Sequence, residues 1–275
     1  VVMAQRSFVI QSATIHGVEA LPVLVEVVIS SGIPSFSIVG MADATIMESR
    51  ERVKAALRAS GFVMPTDKIV VNLAPGALRK TGSGFDLPIA LGILAATGQI
   101  NPEWVVGALV VGELSLSGAV RANVGMLAYQ KCALEHGWDI VTGIAERGFF
   151  SLEGVTCHIL ERLAHIRTGS FVAGRSYVSE PLNESLDYSE VLGHEAAKRA
   201  LQVAAAGNHG VLMVGPPGSG KTMLAQRFVT ILPDLNKVQK IEAALVHSVA
   251  GEDISSLLSG RRPFRSPHHS ATAAG

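Results

Sequence analysis

Two stretches near the start of the chain, residues 7 to 15 and 21 to 30, are dense in β-branched and apolar positions, with a short glycine-containing interruption between them. This pattern predicts a pair of strands. Gly32-Ile33-Pro34 punctuates the run, and Ser35 to Val39 reads as a third strand. From Thr45 to Ser60 the period lengthens to that of a helix, with Ile46, Val53, Ala56 and Leu57 on one side and Arg50, Glu51, Lys54 and Arg58 outside. Gly61 is placed to close it. Lys68 to Ala74 reads as a buried strand and Pro75 to Gly84 as a loop. Asp86 to Thr97 reads as an apolar helix closed by Gly98.

Strand patterning returns at Ala108 to Leu114 and Leu116 to Arg121 around a Ser117-Gly118 turn. A helix over Asn123 to His136 follows, with Gly137 behind it, and then short strands at Trp138 to Thr142 and Val155 to Leu160. This alternation predicts an α/β domain ending near residue 165. Residues 168 to 189 lose all periodicity and read as a linker. Glu190 to Ala206 is an alanine-rich helix closed by Gly207-Asn208, and Gly210 to Val214 is an apolar run expected to be a buried strand. Met223 to Leu232 is a helix with Leu224, Phe228 and Ile231 on one face.

Between that run and that helix stands Gly215-Pro216-Pro217-Gly218-Ser219-Gly220-Lys221-Thr222, a full match to the phosphate-binding pattern G-x-x-x-x-G-K-[ST] in the flanking context the pattern requires. Glycines at 215, 218 and 220 let successive backbone N–H groups point into one concavity, and the helix N-terminus adds partial positive charge there. Lys221 is expected to reach the β- and γ-phosphates of ATP, and the Thr222 hydroxyl to ligate the Mg²⁺ that accompanies it. The loop Pro75 to Gly84, with Arg79, Lys80, Gly82 and Gly84 ahead of a helix, has two readings on sequence: a second anion site, or a solvated connection whose charges face water.

Composition narrows the classes further. The 275 residues are 48% hydrophobic and 17% charged, with 23 basic against 23 acidic side chains, so no global charge draws the chain to nucleic acid or membrane. A local basic channel is compatible with that balance. Cys132 and Cys157 match no zinc spacing and read as small buried hydrophobes in a reducing compartment. No run of 18 apolar residues and no signal-peptide pattern is present, so a cytoplasmic protein without membrane contact is expected.

Several motifs together resemble a known family. Asp187-Tyr188-Ser189-Glu190-Val191-Leu192-Gly193-His194-Glu195-Ala196-Ala197-Lys198-Arg199-Ala200-Leu201, the loop Gly215 to Thr222 and Arg262-Pro263-Phe264-Arg265-Ser266-Pro267-His268-His269 are similar to the AAA+ module of magnesium-chelatase-like proteins. Gly40-Met41-Ala42-Asp43, Lys80-Thr81-Gly82-Ser83-Gly84-Phe85-Asp86-Leu87-Pro88 and Gly112-Glu113-Leu114-Ser115-Leu116-Ser117-Gly118 resemble the other half of the ComM/YifB group of such proteins.

The resemblance implies a Lon-like N-terminal domain of the ribosomal S5 domain 2 type over residues 1–167. It also implies a linker over 168–189 and the N-terminal part of an AAA+ P-loop domain over 190–275. The function it implies is a bacterial ATPase that assembles as a homo-hexamer and translocates on branched or single-stranded DNA during natural transformation or recombination. A non-catalytic, nucleotide-dependent interaction module and a chelatase-type ATPase subunit are the rival readings.

Lon-type proteolysis needs a serine and a lysine acting as a dyad. Placing the chain on those motifs sets Gly84 at the nucleophile and Leu127 at the base, so both groups are missing, with Ser83 one position away. AAA+ hydrolysis needs an acidic strand end to hold Mg²⁺ and orient water. No apolar strand ending in Asp-Glu follows Thr222, so no catalytic residue is recognisable, and the chain is expected to stop inside its ATPase module, binding nucleotide without turnover. His268-His269 suits one metal ion poorly, because adjacent side chains of an extended segment diverge. The segment reads as an ordinary structural loop or as a DNA-facing or inter-subunit loop, in which Arg261, Arg262 and Arg265 contact phosphates.

Overall fold

The computed structural model of the chain describes residues 6–145, 151–174 and 186–267. The chain divides into two compact units, one of residues 1–177 with 245–252 and one of residues 178–244 with 253–275.

The first unit is a mixed α/β layer. Strands β1 (Arg6–His16) and β2 (Glu19–Ser30) form a long antiparallel hairpin, in register from Arg6↔Ile29 to His16↔Glu19, as the paired apolar stretches predicted. The hairpin turns at Gly17-Val18, where Gly17 takes φ +64°, a conformation glycine reaches without steric cost. Next come β3 (Ser35–Val39), α1 (Ala44–Ala59), β4 (Lys68–Ala74) and α2 (Asp86–Ala96). They are followed by β5 (Ala108–Val110), β6 (Glu113–Leu114), β7 (Val120–Arg121), α3 (Met126–His136), β8 (Asp139–Thr142), β9 (Cys157–Ile159) and β10 (Val172–Ala173). The sheet order is β10-β9-β8-β5-β1-β2-β4-β3, with β1–β2, β2–β4 and β9–β10 antiparallel and the remaining neighbours parallel. Within the stretch read as a linker, β10 adds a strand to this sheet, and residues 175–185 lie outside the described residues.

Helix α1 buries Ile46, Val53, Ala56 and Leu57, the predicted face, and its first turn is capped by the Asp43 carboxylate, which accepts from the Ile46 N–H at 2.9 Å. Helix α2 is apolar on every side because it is enclosed, with nine consecutive residues from Asp86 to Leu94 buried. It lies so near the sheet that a Cβ on Gly92 would stand 2.6 Å from Val27 Cγ2. Both cysteines are buried, and burial pushes each thiol up to about 11.

The expected strand Ala108 to Leu114 is broken at Gly112, because the loop ahead of α2 uses that backbone. The Gly112 N–H donates to the Gly84 carbonyl and its own carbonyl accepts from Leu87, each at 3.0 Å. The chain then leaves the sheet, and β6 pairs with β7 in a separate two-stranded ladder.

The second unit contains α4 (Glu195–Gly207), α5 (Lys221–Phe228), most of α6 (Lys237–Val249) and α7 (Ser255–Leu258). Its small core joins Tyr188, Val191, Leu201 and Leu224, with Met213, Met223, Phe228 and Ile231 packed around them. Helix α4 starts five residues later than predicted, because Gly193 and His194 both take positive φ, at +70° and +57°, and no helix propagates through that conformation. The helix expected over Met223 to Leu232 tightens into a 3₁₀ turn at Val229–Ile231. The expected buried strand Gly210 to Val214 is not formed. The segment is irregular, Val211, Leu212 and Val214 are exposed, and no strand of this unit stands beside it among the described residues. An apolar run becomes a buried strand only where a neighbour completes its backbone hydrogen bonds.

Candidate nucleotide site

The loop Gly215 to Thr222 folds as its sequence demands. Gly218 and Gly220 take φ of +78° and +79°, the Ser219 N–H donates to the Pro216 carbonyl at 3.3 Å, and the Leu224 N–H donates to the Gly220 carbonyl at 2.9 Å. That last bond opens α5, so Lys221 and Thr222 occupy its first turn, where amides have no acceptor within the helix. A Cβ on Gly218 would meet nothing within 4 Å, while one on Gly215 would stand 3.0 Å from Ser219 Oγ, so these two glycines do different work. Pro216, Pro217 and Thr222 are exposed.

Lys221 arches back over the loop. Its Nζ donates to the Gly215 carbonyl at 2.8 Å, the Pro216 carbonyl at 2.7 Å and Ser219 Oγ at 3.2 Å. The ammonium therefore sits inside the concavity enclosed by the loop. At the far end of α5, Arg227 donates through Nε at 3.1 Å and Nη2 at 2.8 Å to one carboxylate oxygen of Glu190, tying the helix to the 3₁₀ turn Tyr188–Glu190. The Tyr188 hydroxyl in turn donates to the Lys198 carbonyl of α4 at 2.8 Å.

One neighbour of the loop carried no role in the sequence reading. His194 Nε2 lies 3.4 Å from where a Cβ on Gly220 would stand, so the imidazole flanks the last glycine of the loop. Its place in the motif Leu192-Gly193-His194 was visible, but its contact depends on the positive φ it adopts, which residue type does not announce. A cavity of about 560 Å³ in the same unit is lined by Asp187, Tyr188, Ser189, Lys198, Arg199 and Ile231 among others, and none of the loop residues borders it.

The second candidate, the loop Pro75 to Gly84, fits neither of its sequence readings at Lys80. That side chain is wholly buried, and its Nζ donates to the Gly40 carbonyl at 3.0 Å and to the Pro75 carbonyl. Burial lowers the pKa of this amine. Lys80 thus joins the ends of β3 and β4 from inside and presents no charge to an anion, whereas Arg79 is exposed. Asp43 adds a second tie, its other carboxylate oxygen accepting from the Gly82 N–H at 3.1 Å. Asp86, also wholly buried, receives Arg52 Nε at 2.6 Å, Arg52 Nη2 at 3.0 Å, the Leu114 N–H at 3.3 Å and the Ser49 hydroxyl.

The sequence reading placed a Lon-type dyad at Gly84 and Leu127, with Ser83 beside the first. A Cβ on Gly84 would lie 3.1 Å from Val111 Cγ2 and 3.2 Å from Asn123 Cγ, Leu127 is buried in α3, and the Ser83 hydroxyl donates to Glu113 at 2.7 Å. Among the described residues no helix is long and apolar enough to cross a membrane. His268-His269 lies outside the described residues.

Two family models match the chain, one described as subunit ChlI of Mg-chelatase over residues 25–142 and one as magnesium chelatase, subunit ChlI over residues 187–275. The uncharacterized protein YifB of Salmonella typhimurium is 40% identical over 266 residues, covering 93% of this chain and 52% of that protein. Competence protein ComM of Haemophilus influenzae is 36% identical over 275 residues, covering 96% of this chain and 54% of its own length. The uncharacterized protein Rv2897c of Mycobacterium tuberculosis is 36% identical over 276 residues, with the same two shares of 96% and 54%. The chain thus spans about half the length of the curated relatives it matches. Two family models of one kind, each matching a separate part of the chain, and relatives similar over more than nine-tenths of it make one assignment: the chain belongs to the ComM/YifB group of magnesium-chelatase-like proteins.

Proposed function

We propose that the loop Gly215 to Thr222 binds ATP with Mg²⁺, and that the protein is an AAA+ motor of the magnesium-chelatase-like type acting on DNA. The observation that carries the nucleotide reading is the arrangement at the start of α5: positive-φ glycines, a lysine ammonium held by loop carbonyls, and Thr222 in the first helical turn. Exposed loop residues and the open space beside Gly218 leave room for a triphosphate. Lys221 would neutralise phosphate charge, the amide N–H groups of the first turn would donate to phosphate oxygens, and the Thr222 hydroxyl would ligate Mg²⁺. Held by Thr222, such an ion would supply positive charge that offsets the charge of the phosphates.

The DNA part of the reading is supported by the similarity to a competence protein and by the cations of the second unit. We assign hydrolysis, a homo-hexameric ring and cytoplasmic location to the protein at its relatives' full length. Within this chain, residues 1–167 are read as a Lon-like domain without protease activity, 168–189 as a linker and 190–275 as the first part of the AAA+ module. Titration of a fluorescent ATP analogue into the chain tests the site. Removing the hydroxyl in Thr222→Ala is expected to weaken binding in the presence of Mg²⁺ by roughly tenfold while leaving binding in excess chelator unchanged, since loss of one ligand or charge-assisted bond amounts to about 1.5–3 kcal/mol. Equal weakening with and without Mg²⁺ would contradict the role given to Thr222.

A further inference from the structure

The sheet of the first unit is covered unevenly. On one face Val25 and Val27 of β2 and Val71 and Leu73 of β4 are buried in one core with side chains of α1 and α2. The opposite face is covered at one end only, where Ile15 lies against Gly125 at the start of α3. Beyond that end the strand registers set Val9 opposite Glu26, Glu26 opposite Asn72 and Asn72 opposite Val39, one row across four strands. Val28 and Val70 stand on the same face in the row to one side, Leu24 and Ala74 in the row to the other. None of these side chains is buried, and Val9, Leu24 and Val39 are 49%, 42% and 47% exposed.

A solvated sheet face ordinarily carries polar residues. Here aliphatic side chains are the nearest neighbours of one polar pair, and the pair is asymmetric. Asn72 Nδ2 donates to Glu26 at 2.7 Å, a neutral partner that orients the carboxylate without offsetting its charge, and Glu26 has no ion pair among the described residues. Three rows over four strands measure about 14 Å each way, which seats one helix of about ten residues on the same face as α3. We propose that this open part of the face is a docking surface for a partner helix whose apolar stripe carries one central lysine or arginine, the cation meeting Glu26. The charge selects the occupant. A second copy docked about a two-fold axis would bring Glu26 onto Glu26, and an apolar helix without a cation would bury the carboxylate uncompensated. The surface belongs to the first unit, and the inference is independent of the nucleotide reading.

The test titrates the 275-residue chain into labelled, stapled synthetic helices of about four turns. They share a leucine stripe and a glutamine-rich polar face and differ at one central stripe position, which holds arginine, leucine or glutamate. Anisotropy is read at low ionic strength, and thermal unfolding confirms that each protein variant is folded. The arginine peptide is expected to bind about tenfold more tightly than the glutamate peptide, and Glu26→Gln to abolish that difference while binding the leucine peptide at least as well as the parent. Val39→Gln should weaken the arginine and leucine peptides severalfold, whereas Val63→Gln, at an exposed valine outside this face, should change neither. No binding of any peptide by the folded parent, equal affinity for the arginine and glutamate peptides, or discrimination that survives Glu26→Gln would each overturn the proposal. So would a dimer in sedimentation that Val39→Gln dissociates, because it would assign the face to a second copy of this chain.

Discussion

Lys80 and Lys221 show how one residue type is put to opposite uses by its surroundings. Lys221 lies at a helix start among carbonyls of an exposed loop, where a phosphate can replace those partners. Lys80 is sealed beneath the ends of β3 and β4 with two carbonyl partners, and burial disfavours its charged form. The sign of its pH effect follows. Unfolding restores an ordinary lysine near 10.5, so between the lowered native value and 10.5 the unfolded chain binds more protons, and stability rises with pH across that window. Chemical denaturation of the parent against Lys80→Met, repeated at increasing alkaline pH, should show a rising difference in favour of the parent, and a difference independent of pH would refute the assignment. Sequence showed Lys80 as a cation in a glycine-bearing loop. Its burial was not legible, because it depends on Gly40 and Pro75 arriving from other parts of the chain.

At the level of elements, hairpin β1–β2, helix α1 and its buried face were readable from periodicity alone, because each buries a regular pattern against one neighbour. Elements whose limits depend on distant backbone were not. The strand at Ala108 ends early because Gly84 and Leu87 occupy the hydrogen bonds of Gly112, and α4 starts late because Gly193 and His194 turn the chain. The turn of the loop Gly215 to Thr222 was legible, since its conformation is written in local glycines, whereas the strand expected before it needed a neighbour that periodicity does not report. Enclosure of α2 makes Gly92 a sensitive position. Gly92→Ala would place a methyl 2.6 Å from Val27 Cγ2, so despite the better helix propensity of alanine it should cost about 1–3 kcal/mol in urea unfolding. A stabilised variant would mean that helix and sheet are less tightly packed than described.

On the scale of the whole molecule, a sheet-based unit and a helical unit with the loop Gly215 to Thr222 share a chain that spans about half the length of its relatives. The nucleotide loop is central to the proposed function, so the most direct measurement is the affinity of the chain for MgATP, parent against Lys221→Ala, by isothermal titration. Parent binding with loss of at least tenfold in Lys221→Ala, at unchanged thermal unfolding, is the predicted result, in keeping with a charge-assisted contact to phosphate. Equal affinity in the two proteins, or no affinity in the folded parent, would contradict it.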